Sequence, residues 1–179
     1  MEEQTLLVHA LQNSATQEAG FKTLIKEYQQ PLYWHIRKIV FDHEDADDVL
    51  QNTYIKIFKN IKNFRGESKL FSWMYRIATN EALTFIKQKS RKLGLSLNEF
   101  NEKQVNQLAA DVYFEGDAIA LKLQLAVANL PEKQRLVFNL KYYEELKYEE
   151  ISEILETSVG GLKASYHHAV KKIKNELEQ

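Results

Sequence analysis

The sequence predicts an all-α protein of two helical domains, an N-terminal bundle and a C-terminal helix-turn-helix domain, joined by a linker. Three observations carry that expectation. Only 6 Gly and 2 Pro occur in 179 residues, few for a loop-rich β protein. Lys, Glu, Leu, Ala and Gln, all favourable in helices, are plentiful. Apolar residues recur at helical spacing through nearly every segment.

In chain order, Leu6, Leu7, Ala10 and Leu11 open a first helix that "SATQEAG" breaks. Residues 21–40, "FKTLIKEYQQPLYWHIRKIV", are helical by period, with Pro31 as a kink or boundary. "DHEDADD" supplies an N-cap and first-turn acids for the next helix. Leu50, Tyr54, Ile57, Phe58 and Ile61 then form one apolar stripe. "NFRGES" interrupts, and a further helix runs from about Leu70 into the basic "KQKSRK". Residues 94–117 are acidic, rich in Asn and Gln and weakly periodic, and read as a linker with a short helical turn at most. Helix returns with "AIALKLQLAVANL", stops at Pro131, and resumes through "EKQRLVFNLKYYEEL". "KYEEISEIL", a turn and a last helix close the chain. The domains are therefore 1–93 and 118–179, with 94–117 between them.

Composition narrows the class. At 44% hydrophobic and 27% charged residues, a soluble folded protein is expected. With no cysteine, disulfides and thiolate metal sites are excluded, and a reducing compartment fits. The start "MEEQTLLVHALQNS" is too acidic for a secretory signal, and no apolar run approaches a transmembrane span. A cytoplasmic protein with no membrane insertion is expected. The net charge of -1 hides a strong segregation. Asp42, Glu44, Asp45, Asp47 and Asp48 cluster; between Lys56 and Lys92, ten Lys and Arg residues face only Glu67 and Glu81. Two surfaces for two partners explain this, as does a solvated helical face.

In the last helix, taken to start at Ser158, Leu162, Tyr166, Ala169, Val170, Ile173 and Leu177 share one side. Lys163, His167, Lys171 and Lys174 share the other, flanked by Ala164 and His168. The inner set is expected to pack on Ile151, Ile154 and Leu155, so a helix-turn-helix is one reading and a plain helical hairpin the other. In the first reading the helix tip enters a major groove. Gly160 and Gly161 then clear side chains from backbone N–H groups that approach a phosphate. His167 and His168, adjacent in sequence, point about 100° apart and make poor joint metal ligands.

Upstream, Phe71, Met74, Ala78 and Phe85 share an inner face, while Trp73, Arg76, Asn80 and Lys87 share another. Aromatic planes beside cations suit a single nucleic-acid strand, with bases stacking and phosphates pairing. Asn80 suits a base edge, and Phe64 suits stacking on a base turned out of the duplex. Burial of Trp73 and plain solubility for the lysines are the alternatives. For the acid cluster the readings are helix-start acids, a protein-docking face, or metal-assisted chemistry with Mg²⁺. Against the last, no Gly-rich phosphate loop lies nearby.

These segments, in this order, resemble bacterial RNA polymerase sigma factors of the extracytoplasmic-function (ECF) type, over nearly the whole chain. "EDADDVLQNTYIKIF" resembles the polymerase-docking helix and "FRGESKLFSWMYRIATNEA" the promoter-melting segment. "LPEKQRLVFNLKYYEELKYEEISEIL" with "SVGGLKASYHHA" resembles the promoter-binding module. The resemblance implies a protein without catalytic residues, cofactor or metal, which binds core RNA polymerase and promoter DNA. An anti-sigma factor, often membrane-bound among relatives, is a further expected partner. By position, Asp45, Asp48, Gln51, Asn52 and Lys56 match the polymerase-binding helix. Phe64, Arg65, Ser68, Trp73, Arg76, Asn80 and Lys87 match the segment that melts and reads the minus-10 element as a single strand. Gly160, Gly161, Lys163, Ala164, His167, His168 and Lys171 match the helix that reads the minus-35 duplex. The family often has Gly-Thr-Val-Lys-Ser-Arg and a later Arg there. Here Leu162, Lys163, Ala164 and Ser165 follow the glycines, and His168 replaces the later Arg. Bidentate Arg–guanine contacts, about 1–3 kcal/mol each, are absent at those positions, so weaker or differently specified minus-35 binding is expected.

The 24 residues of 94–117 reach about 80 Å extended, against about 70 Å for two turns of duplex. Tethered modules can thus occupy separate elements, or can fold together and mask both surfaces.

Overall fold

The computed structural model describes residues 2–108 and 118–178. Nine α-helices account for most of them, and no strand occurs among the described residues. They are α1 (Glu2–Gln12), α2 (Gln17–Val40), α3 (His43–Asn60), α4 (Leu70–Lys92), α5 (Leu97–Leu108), α6 (Ala118–Ala128), α7 (Glu132–Phe138), α8 (Tyr148–Leu155) and α9 (Val159–Leu177). The fold is all-α, as the sequence predicts.

In the first module α2, α3 and α4 pack on one another and α1 lies against α2. Gly20 permits the α1–α2 approach: a Cβ there would stand 3.2 Å from Ala10 and Leu11. The break after α1 is shorter than "SATQEAG" suggests. Thr16 donates its hydroxyl to Ala10 O at 2.9 Å, and α2 already begins at Gln17. Pro31 does not end a helix segment: α2 continues through it to Val40. Phe41 then closes α2 in the left-handed region, at φ 61°, with its N–H on Arg37 O. Asp42 caps α3, accepting the Asp45 N–H at 2.9 Å.

The segment expected as a linker contains α5, a full twelve-residue helix. Two local causes account for it. Ser96 and Glu99 form a reciprocal capping box, with contacts of 2.8 and 3.2 Å. Phe100 and Gln104, one turn apart, are buried against the rest of the chain. Residues 109–117 of that segment lie outside the described residues.

In the second module α9 packs on α6, α7 and α8. A π-helical turn, Asn139–Tyr143, extends α7. Arg135 is 2% exposed; it donates to Ala128 O at 3.0 Å and lies over the Phe41 ring, 5.1 Å from its centroid.

The two modules share a core. Leu32, Ile36, Tyr75, Ala78 and Ala82 belong to one buried cluster with Leu136, Leu140, Ile151, Ile154 and Leu162. α4 packs on α8 across this seam. Lys38 pairs with Glu144 at 2.7 Å, Lys69 with Glu150 at 2.7 Å and Arg76 with Glu156 at 3.2 Å. Of the two arrangements open to the sequence, the chain adopts the folded-together one, but it does not mask both surfaces: Asn80, Lys87, Lys163, His167 and His168 stay exposed.

Candidate nucleic-acid interface

The loop before α4 is tied to α1 by one side chain. The Gln12 side chain donates to Ile61 O at 3.1 Å and to Phe64 O at 2.7 Å. A 3₁₀ turn, Ile61–Asn63, precedes Phe64, and Gly66 takes φ +73°, a conformation natural to glycine. Phe64, half-buried, meets the Trp73 ring at 5.2 Å between centroids and a 49° tilt. Trp73 is half-buried too, so its burial is only partial. The two rings border a cleft of about 230 Å³, completed by Asn63, Arg65, Glu67, Ser68 and Arg76. Five of the expected minus-10 residues, Phe64, Arg65, Ser68, Trp73 and Arg76, thus converge. Asn80 and Lys87 are exposed farther along α4, about 6 and 16 Å beyond Arg76 by helical rise.

On α3 the acid cluster divides. Asp48, Gln51 and Asn52 are exposed. Asp45 is 6% exposed and receives Lys89 on both carboxylate oxygens, at 2.5 and 2.6 Å. The sequence carried a signal for this: Asp45, Val49, Thr53 and Ile57 recur every four residues, and all are buried. Lys56 is exposed and its ammonium pairs with Glu81 of α4. Phe58, placed in the apolar stripe, is 46% exposed, and Ile55 is 50% exposed beside Gln51 and Asn52. Ile55 was missed because it breaks the stripe, and that break marks an apolar residue pointing to solvent. Among the described residues no three His, Asp or Glu side chains are grouped to hold a metal ion.

The Ser158 hydroxyl caps α9, accepting the Gly161 N–H at 3.3 Å. Leu162, Ala169 and Ile173 are buried, as expected for the inner side, whereas Val170 and Leu177 are 40% and 38% exposed. Both lie beyond the width of the buried row, with no neighbouring helix over them in the buried clusters. Lys163, Ala164, His167, His168 and Lys171 are all exposed, and Gly160 has open space where a Cβ would stand. The His167 and His168 rings are 5.9 Å apart and inclined at 67°. Lys163 lies over the Tyr148 ring, 5.7 Å from its centroid, which links this exposed face of α9 to α8.

The family model for Sigma-70 region 2 matches residues 24–92, and that for Sigma-70, region 4, matches residues 120–173. The chain is 30% identical to the ECF RNA polymerase sigma factor SigW of Bacillus subtilis, covering 88% of this chain and 89% of the relative. It is 29% identical to the ECF RNA polymerase sigma-E factor of Haemophilus influenzae, covering 89% and 88%. Its fold matches CnrH, solved with the cytosolic domain of CnrY, at a TM-score of 0.70 and 17% identity over 98% of this chain and 97% of that one. It also matches the sigma factor RpoE of Bartonella quintana, solved with the anti-sigma factor NepR, at 0.68 and 19% over 88% and 96%. With both regions present in order and full-length relatives at this identity, the chain belongs to the ECF RNA polymerase sigma factors.

Proposed function

We propose that the chain is a promoter-specificity subunit that binds core RNA polymerase through α3, takes the minus-10 element as a single strand on α4, and reads the minus-35 duplex with α9. The observation that carries this reading is the Phe64–Trp73 cleft with Arg76 at its edge. Two rings offer stacking surfaces for bases, and the guanidinium and Arg65 offer charge to phosphates. Such a site retains an unpaired strand and has no use for a closed duplex, so it lowers the free energy of the melted state.

The division of labour follows from exposure. Asp48, Gln51, Asn52 and Ile55 form a polar face with an apolar centre, suited to a protein partner. Lys56 borders it. Asp45 supports this face from inside through Lys89. Asn80 and Lys87 extend the strand path along α4. On α9, Lys163, His167 and Lys171 face a groove while Gly160, Gly161 and Ala164 let the backbone come close. The polymerase supplies all the chemistry, so the protein itself is no enzyme and acts in the cytoplasm where transcription occurs. Since relatives of this fold are solved with CnrY and NepR, an anti-sigma factor is a proposed partner as well. Among the described residues, no helix is long and apolar enough to cross a membrane.

Run-off transcription with purified core polymerase on templates selected from genomic fragments tests the proposal. Promoter-specific transcripts that require this chain are expected. A chain that never co-purifies with core polymerase yet binds duplex DNA tightly alone would instead be a stand-alone regulator, the reading that the exposed α9 face favours in second place.

A further inference from the structure

We propose that Gln12, the last residue of α1, is a positioning residue for strand capture: its amide fixes the backbone of Phe64 and so holds the Phe64 ring beside Trp73. This rests on the reading of the Phe64–Trp73 cleft given under Proposed function, and it gives α1 a part in that site.

The Gln12 Nε2 group donates to Ile61 O at 3.1 Å and to Phe64 O at 2.7 Å, across 49 and 52 residues of chain. Both partners are carbonyls, so the side chain must present its NH₂ there, and its two protons serve both. The end of α1 is itself firmly seated. Leu11, beside Gln12, is 0% exposed and shares one buried cluster with Ile61, Leu70 and Met74, against which Phe64 and Trp73 pack.

The loop has little else to hold it. Phe64 donates its N–H to Ile61 O at 3.1 Å, and the backbone leaves the 3₁₀ turn at φ -69° and ψ 116°. From Arg65 to Ser68 no hydrogen bond to the rest of the chain occurs among the described residues. Gly66, at φ +73° with open space around it, adds freedom. Only at Phe64 are N–H and C=O both bonded. That pins both backbone torsions of the residue, and with them the direction of its Cα–Cβ bond. The ring therefore meets Trp73, 5.2 Å between centroids, before any base arrives. A pocket formed in advance spends no binding free energy on ordering itself. Gln12 does not line the cleft and acts through Phe64.

The test uses Gln12→Met, which keeps the length and helix propensity of the side chain and removes both donors. Thr16→Val is the control: it removes the hydroxyl bond to Ala10 O, 2.9 Å, at the same helix junction and leaves the loop alone. In a Trp34→Phe background Trp73 is the only tryptophan. Acrylamide quenching of its fluorescence in the free chain should rise with Gln12→Met and not with Thr16→Val. Each full-length chain is then combined with core polymerase and a labelled single-stranded oligonucleotide from a promoter that the parent holoenzyme selects. Bases of that strand are replaced one at a time by an abasic site. Gln12→Met should bind the intact strand about tenfold more weakly than the parent, if one loop in ten then holds the competent form. Parent and variant should bind equally once the single base that occupies the cleft is removed, and should keep the tenfold difference when any other base is removed. Unchanged quenching, unchanged affinity for the intact strand, or a difference that survives removal of every base in turn overturns the positioning role. A parent with no position whose abasic penalty Trp73→Ala abolishes refutes base capture by the cleft, and with it the part of Gln12 in capture, while the quenching result stands.

Discussion

Lys89, in the last turn of α4, donates to both oxygens of Asp45, in the first turn of α3, at 2.5 and 2.6 Å. The pair joins the two helices of the first module at one end, with Asp45 nearly buried and Lys89 half-exposed. A carboxylate so placed is part of the scaffold. Asp48, three residues on and exposed, is free of that duty.

Asp45→Ala and Asp48→Lys should therefore fail in different ways. Removing Asp45 leaves a partly buried ammonium without its partner and should lower stability by about 1–3 kcal/mol. Denaturant melts read this as a shifted midpoint. Asp48→Lys should leave the melt within about 0.5 kcal/mol of the parent while weakening capture by core polymerase. Equal melts for the two variants would contradict the division of the acid cluster.

The two glycines of α9 should also separate. An added Cβ at Gly160 meets open space, whereas one at Gly161 stands 3.3 Å from the Ser158 hydroxyl that caps the helix. Gly160→Ala should raise stability by up to about 1 kcal/mol through helix propensity. If the groove is approached through this first turn, the same substitution should weaken binding to the minus-35 duplex. Gly161→Ala should disturb the cap and gain less. Thermal melts together with anisotropy on a duplex selected by the holoenzyme check both; a Gly160→Ala chain that is more stable and binds unchanged would remove the glycine from the reading face.

The helices were legible because their causes are local: the α3 acids with Asp42 as cap, the Ser158 cap, and the buried row of Leu162, Ala169 and Ile173 all follow from spacing. Pro31 was no boundary although proline inside a helix is disfavoured locally, because Leu24 before it and Leu32, Ile36 and Val40 after it bury the same helix in the core. The α5 helix was obscured by its polar composition; its capping box is local, but burial of Phe100 and Gln104 is tertiary. The lining of the Phe64–Trp73 cleft was legible as a set, since "FRGESKLFSW" places rings and cations within one loop and one turn. What no spacing could disclose is that Glu150 and Glu156 would stand on Lys69 and Arg76, about 80 residues upstream.

Trp73→Ala should act on the melted state. It removes one wall of the Phe64 cleft, and base–aromatic stacking is worth about 1–3 kcal/mol per base. Open-complex formation, followed by permanganate footprinting, should fall about tenfold or more while polymerase binding holds. Arg76→Ala should weaken strand binding with less effect on stacking, and should flatten the salt dependence by about 0.7 in log–log slope. An equal loss of polymerase binding in the Trp73 variant would show that the cleft is structural.

His35 sets a pH limit on the fold. Its ring is 1% exposed, tilted against Tyr75 at 4.7 Å, with Nε2 2.8 Å from the Thr79 hydroxyl oxygen. That hydroxyl spends its one proton on Tyr75 O, at 2.8 Å, so it accepts from an Nε2–H. Nδ1 then carries no proton and, buried, has no partner among the described residues. Burial, with Lys38 nearby, pushes the His35 pKa down from 6.5 to about 3. In the unfolded chain the ring takes a proton near pH 6.5, but in the folded chain only near 3, so between those values the unfolded state binds more protons. The contribution of His35 to stability is thus complete above about pH 6.5 and is lost as pH falls toward 3, at no more than about 1.4 kcal/mol per unit. His35→Phe removes the titrating group and keeps an aromatic against Tyr75. Its stability should start lower at pH 7.5, having lost the Thr79 contact, and should decline less than the parent between pH 6.5 and 5. Urea midpoints across that interval decide the matter: parallel slopes for parent and variant would place the pH limit on other groups.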